Sequence, residues 1–266
     1  MKTIIAPVDF SDASTNALSF AAELSKRTSA RLIIVNILEK PEAEGESRSK
    51  LDSVEAELKS TFGSELSCEA LFVLGGSLVS ALSEVIKAHQ PDLIVMGTKG
   101  ASGLKRILIG SNTVKVISET KLPVLVIPEE ARFADFSRTG KNRIVLATDL
   151  ESVDNEEGLE LLKEIALLII EPKVRVVSVR PKNTHLDPLK GMERDALLSL
   201  FRPEIESERA TVFSSTVMSG INYYLNEHSD TGLVAMIARD SGHLIQKHYT
   251  HEMASHTRFP LLVLHD

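Results

Sequence analysis

The chain carries one pattern twice. Residues 113–127 (TVKVISETKLPVLVI) lie without gaps over residues 250–264 (THEMASHTRFPLLVL), with Ser118/Ser255, Thr120/Thr257, Lys121/Arg258 and Pro123/Pro260 matching in kind. Residues 4–9 (IIAPVD) line up with 144–149 (IVLATD), 93–97 (LIVMG) with 233–237 (LVAMI), and 174–179 with the second strand-like run of the first half. An internal repeat of roughly 135–140 residues accounts for these matches together. The 266 residues therefore divide into two copies, each large enough to bury a core.

Within the first copy, strand and helix signals alternate. Residues 3–8 (TIIAPV) are a short apolar run, read as a buried strand. Ser11 or Asp12 caps the helix that follows. In that helix Ala17, Leu18, Ala21, Ala22 and Leu24 recur at helical spacing. Residues 31–38, 67–74, 92–96 and 123–127 are further strands. Residues 47–62 form a charged, weakly amphipathic helix. Residues 77–89 form a helix with Leu78, Leu82, Val85 and Ile86 on one face, and a last helix runs near 111–120. Such alternation predicts an α/β fold with a parallel sheet and helices on both faces. Residues 129–141 (EEARFADFSRTGK) show no period and read as a linker. The expected organisation is a first domain at 1–130, a linker at 131–141 and a second domain at 142–266.

Charge and composition exclude some functions. A net charge of −7 gives no general attraction to nucleic acid or anionic membranes. Aromatic residues at 5%, without Trp, supply no stacking platform for single strands. No apolar run is longer than residues 165–170, which is far too short to span a bilayer. The single cysteine, Cys68, permits no intrachain disulfide and reads as a buried strand residue. The N-terminus enters a strand at once, with no signal-peptide pattern. The expectation is a cytoplasmic protein with no membrane or nucleic-acid partner.

Four of the fourteen glycines fall in residues 96–113, MGTKGASGLKRILIGSNT. The segment is neither a P-loop nor a dinucleotide fingerprint. Both would follow the first strand, which runs instead into DFSD. The spacing is Gly97-x2-Gly100-x9-Gly110-Ser111, and it begins at the carboxyl end of the fourth strand. That end of an open parallel sheet is where ligands bind. Gly97 is expected to let the chain leave the strand sharply, and Gly100 to permit positive φ or close ligand approach. Gly110-Ser111 opens a helix whose unpaired N–H groups favour an anion. Ser111, Asn112 and Thr113 add side-chain donors there, and Lys99, Lys105 and Arg106 make the segment locally basic. The spacing is also that of a glycine-rich turn with solvated lysines, so by itself it leaves both readings open.

The motif Gly-x2-Gly-x9-Gly-(Ser/Thr) resembles the nucleotide motif of the universal stress proteins. The surrounding text, PDLIVMGTKGASGLKRILIGSNTVKVISETKLPVLVIP, and the start, IIAPVDFSDAS, are similar to that family throughout. The likeness covers residues 1–128 with a complete motif and 141–266 more weakly. It implies a tandem protein of two Rossmann-like (adenine nucleotide alpha hydrolase-like) domains, each with a five-stranded parallel sheet and helices on both faces. It also implies ATP binding in the first copy. By position, Pro7, Val8 and Asp9 end the first strand, with Asp9 near the ribose or the metal-bound phosphates. Asn36 and Ile37 would pack against adenine, and Met96 and Gly97 would flank base and ribose. Gly100, Gly110, Ser111, Asn112 and Thr113 would hold the phosphates. Lys99 stands where His or Arg is often found, which keeps a positive charge on a more flexible stem. A carboxylate beside a triphosphate makes sense chiefly with Mg2+ or Mn2+ between them, so Asp9 would meet a metal indirectly, through the bound nucleotide. Asp9 has a plainer alternative as a helix cap after a strand.

The second copy keeps Asp149 but has Ala147 in place of Pro7. Its counterparts of Gly97, Gly100 and Gly110 fall at about Ala238, Ser241 and Lys247, so the anion cradle is not expected to form and a structural or regulatory role follows. Of eight histidines seven lie in this copy. His243, His248, His251 and His256 cluster near its last helix. They read as surface residues, because zinc would need further ligands and no cysteine is near.

The functional reading is an ATP-binding stress-response or signalling module with no catalytic residues assigned. A slow metal-dependent ATP hydrolase and an interaction module that binds no nucleotide are the alternatives. The final strand of each copy, 123–127 and 260–264, is an apolar edge that needs cover. In the family such edges pair in dimers, so the two copies are expected to form a pseudo-dimer within the chain, with a homodimer of whole chains as a further expectation. Residues 1–132 and 141–266, expressed separately, should co-elute on size exclusion. Two independent monomer peaks would refute the pairing.

Overall fold

The computed structural model describes residues 1–38, 41–98, 111–137, 140–182, 184–239 and 258–266. Contacts divide the chain into two compact units. The first is carried by Met1–Phe133, and the second begins at Ala134 and ends with Phe259–Asp266.

The uncharged run TIIAPV forms β1 (Thr3–Val8), buried along most of its length. Ser11 then caps α1 (Asp12–Thr28), its side chain accepting from Ser14 N. Ala17, Leu18, Ala21, Ala22 and Leu24 are all buried, as their spacing predicts. The unit continues with β2 (Arg31–Leu38), α2 (Glu44–Phe62), β3 (Cys68–Leu74), α3 (Leu78–His89), β4 (Leu93–Gly97), α4 (Ser111–Glu119) and β5 (Val124–Ile127). The strands lie in the order β3-β2-β1-β4-β5, all parallel. From β1 the chain builds outward through β2 and β3, then returns to lay β4 and β5 on the other side. The carboxyl ends of β1 and β4 therefore flank the point where the winding reverses, which is where such sheets open a crevice.

After a short α5 (Phe133–Ser137), the second unit contains β6 (Arg143–Ala147), α6 (Glu156–Ala166), β7 (Lys173–Arg180), α7 (Pro188–Phe201), β8 (Glu206–Phe213), α8 (Val217–Glu227), β9 (Thr231–Ala238) and β10 (Leu261–His265). Its strand order is β8-β7-β6-β9-β10, again all parallel. Both units share this α/β, Rossmann-like layout. The repeat extends to the backbone. Phe10 after Asp9 and Leu150 after Asp149 both take φ near 61°, an unusual conformation for residues with side chains. Among the described residues, no helix is long and apolar enough to cross a membrane.

Some elements differ from the sequence reading. Helix α2 starts at Glu44 rather than 47, and β8 has no counterpart in that reading. Cys68 opens β3 only half-buried, and burial pushes its thiol pKa up. The stretch read as a linker begins as part of the first unit. Asn16 of α1 donates to the carbonyls of Pro128 (3.0 Å) and Ala131 (2.9 Å), and Arg132 donates to Asn16 Oδ1 (3.1 Å). Phe133 is buried edge-on against Phe20, ring centroids 4.8 Å apart, with the Arg27 guanidinium over its ring. Phe133→Ala should therefore destabilise the first unit by about 3 kcal/mol, read as a lower denaturant midpoint. An unchanged midpoint would show that the segment is only a tether.

Candidate functional site

The crevice of the first unit begins with a missing hydrogen bond. In β1, Lys2 O accepts from Arg31 N on the β2 side and Thr3 O accepts from Asp92 N on the β4 side. Alternation along the strand turns the odd residues toward β4. Pro7 is therefore on the β4 side, and it has no N–H to give. The β1–β4 ladder is registered only at Ile4/Leu93 and Ile5/Ile94. In the second unit Ala147 stands at this place, and the β6–β9 ladder runs on to Ala147/Met236. The first switch point thus lacks ladder pairing that the second retains.

Around the opening, Val8 and Met96 are buried, Ile37 is half-buried and Asp9 is exposed at the rim. Asp9 Oδ1 accepts from Ser11 Oγ (2.5 Å) and Ser11 N (3.1 Å), which supports the tight turn between β1 and α1. Asp149 Oδ1 accepts from Glu151 N in the same way (3.2 Å). Its retention in the second copy thus has a turn-forming cause. Asn36 lies lower than the resemblance implied. It is 4% exposed, and its Nδ2 donates to Val8 O at 2.9 Å, so the amide bridges the ends of β1 and β2 instead of lying against a base.

β4 ends at Gly97, where Thr98 N still donates to Ile127 O at 3.1 Å, and the chain bends at Thr98. Gly97 is required by a close approach. A Cβ at this position would sit 2.6 Å from the carbonyl oxygen and 2.7 Å from the carbonyl carbon of Ala13, in the first turn of α1. Thr113 is 3% exposed, and its hydroxyl donates to Gly97 O at 2.9 Å. This bond ties the first turn of α4 to the end of β4, so the glycine-rich segment leaves and returns at one corner. Ser111 and Asn112, beside it, are exposed at the helix start. Lys99, Gly100 and Gly110 lie outside the described residues.

In the second unit, ladder register corrects the placement of the counterparts. Ile4/Leu93 corresponds to Ile144/Leu233, and Gly97/Ile127 to Ile237/Leu264. Gly97 is thus replaced by Ile237, not Ala238, and Lys99 corresponds to Arg239. The glycine that the close approach of Ala13 requires in the first unit is thus absent from the second. The first helix begins only at Glu156, after residues 148–155, where the first unit needs only residues 9–11. Ser241, Lys247, His243, His248, His251 and His256 lie outside the described residues.

The model of the universal stress protein family matches residues 1–128. A universal stress protein of Methanocaldococcus jannaschii is 30% identical over 142 residues, which cover 47% of this chain and 81% of that protein. One of Thermus aquaticus is 29% identical over 136 residues, covering 47% of this chain and 98% of its own length. A crystal structure of a universal stress protein from Archaeoglobus fulgidus has the same fold along the whole molecule. Its TM-score is 0.75 at 20% identity, covering 99% of this chain and 98% of that one.

Gly97→Ala places a methyl group against backbone that cannot rotate away. It should destabilise the first unit by roughly 1–3 kcal/mol in chemical denaturation. A variant as stable as the parent would show that α1 and β4 are not held this tightly.

Proposed function

The chain belongs to the universal stress protein family, and on that premise we propose that it is a tandem member whose first unit binds ATP as a stress-response or signalling module. The observation that carries this reading is the interrupted ladder at the switch point. Pro7 ends the β1–β4 ladder there, and the Thr113–Gly97 bond brings the start of α4 back to the same corner. A crevice between strand ends, faced by a helix N-terminus, suits a ligand with an apolar base and an anionic tail.

The residues present fit a nucleotide. Val8, Ile37 and Met96 supply apolar surface for the base, and the Asn36–Val8 bridge fixes the floor beneath it. Asp9 stands at the rim, in reach of a ribose or of Mg2+ or Mn2+ carried by the phosphates. The N–H groups at Ser111 and Asn112, together with Lys99, Gly100 and Gly110, would hold the phosphates. Bound nucleotide would then report through α4, because its first turn is fastened to β4, and so change the affinity of the unit for a protein partner. No residue is assigned to bond breaking: the described crevice holds Asp9 as its only carboxylate proposed near the phosphates, and that group supports a turn.

ATP affinity in the micromolar range is expected, corresponding to about −8 kcal/mol. Gly100→Val and Gly110→Val should each abolish binding in calorimetry, because a branched Cβ obstructs both the turn and the phosphate. Unchanged affinity in both variants would refute the site.

A further inference from the structure

We infer that the second crevice has an internal ligand: the Arg239 guanidinium occupies the switch point of the second unit and locks the β6–α6 connection across it. Arg239 is the register counterpart of Lys99, and it has turned inward. It is 9% exposed. Its Nη1 donates to Asp266 Oδ2 at 2.5 Å and to the Ser152 carbonyl, and its Nη2 donates to the Glu151 carbonyl at 2.9 Å. Its Nε lies 3.6 Å from Asp149 Oδ1. One planar cation thus joins the carboxyl end of β9 to the residues following β6 and β10.

The groups it binds hold the connection in turn. Asp266 Oδ1 accepts from Asp154 N (2.6 Å) and Asn155 N (3.2 Å), and Asp149 Oδ1 accepts from Glu151 N. Lys190 of α7 adds a second clamp, 2.6 Å from Glu151 Oε1 and 3.1 Å from Asp149 O. The fork geometry of Arg is needed here, because a point charge cannot bond a carboxylate and two diverging carbonyls together. The rim carboxylate, exposed at Asp9 in the first unit, is neutralised internally at Asp149 in the second. Among the described residues, the lock already engages the guanidinium that a nucleotide phosphate entering this crevice would need. The consequence of one nucleotide per chain rests on the function proposed above; the lock does not.

Amide hydrogen exchange tests the lock on the full chain without nucleotide, so a first unit that bound no ATP would leave the result intact. Arg239→Met should raise exchange at Glu151, Asp154 and Asn155 by about tenfold or more, with the first unit unchanged. Asp266→Asn should raise exchange at Asp154 and Asn155, whose N–H groups its carboxylate holds, and the double variant should fall short of the combined effect of the two single variants, because both lose the shared Arg239–Asp266 bond. Arg239→Lys keeps the charge and guards against loss of folding. It should fall between the parent and Arg239→Met. Parent-like exchange at these amides in Arg239→Met, full protection in Arg239→Lys, or additive effects in the double variant would overturn the proposal.

Discussion

The missing N–H of Pro7 determines the architecture at the carboxyl end of the first sheet. A parallel ladder between β1 and β4 would otherwise continue to the strand ends and close the switch point, as the β6–β9 ladder does at Ala147/Met236. Gly97 sets the other wall. Lacking a side chain, it lets the first turn of α1 approach β4 closely enough to keep the crevice narrow, and its carbonyl receives Thr113 and so locates α4.

The second unit shows what happens when those two residues change and the fold is kept. Ala147 restores the N–H, and the ladder lengthens. Ile237 replaces the close-packed glycine, and the first helix follows a longer connection. That connection needs a new anchor, which Arg239 and Asp266 provide. These changes are mutually dependent. A longer connection without the arginine would leave Asp149 and Asp266 uncompensated, and the arginine without the connection would be a poorly solvated cation with too few acceptors. Loss of one site and gain of an internal lock are thus a single structural change.

Much of this was legible in the sequence, for stated reasons. Apolar strands such as IIAPV and LIVMG announce themselves because both faces are buried, and the repeat doubles the signal. Strand β8, ESERATVF, was not legible, because it pairs only with β7 and carries charge on its exposed positions. The packed start of the linker was hidden because Asn16 and Arg132 act across more than a hundred residues, which no local period reports. At the site, the residue types were visible and two of the roles were not. Gly97 serves close packing against α1, and the Thr113 hydroxyl fastens α4 to β4. Both roles depend on which atom lies opposite, and spacing along the chain does not encode that. Arg239 was missed because its partners Asp149, Ser152 and Asp266 are distant in sequence and meet only in the folded unit.

The central claim is that two copies of one fold differ as an open crevice and a filled one. Equilibrium dialysis of the intact chain against ATP with Mg2+ tests it most directly. The account predicts saturation at about one equivalent per chain, with isolated residues 141–266 binding none. Saturation near two equivalents, or binding by residues 141–266 alone, would contradict it.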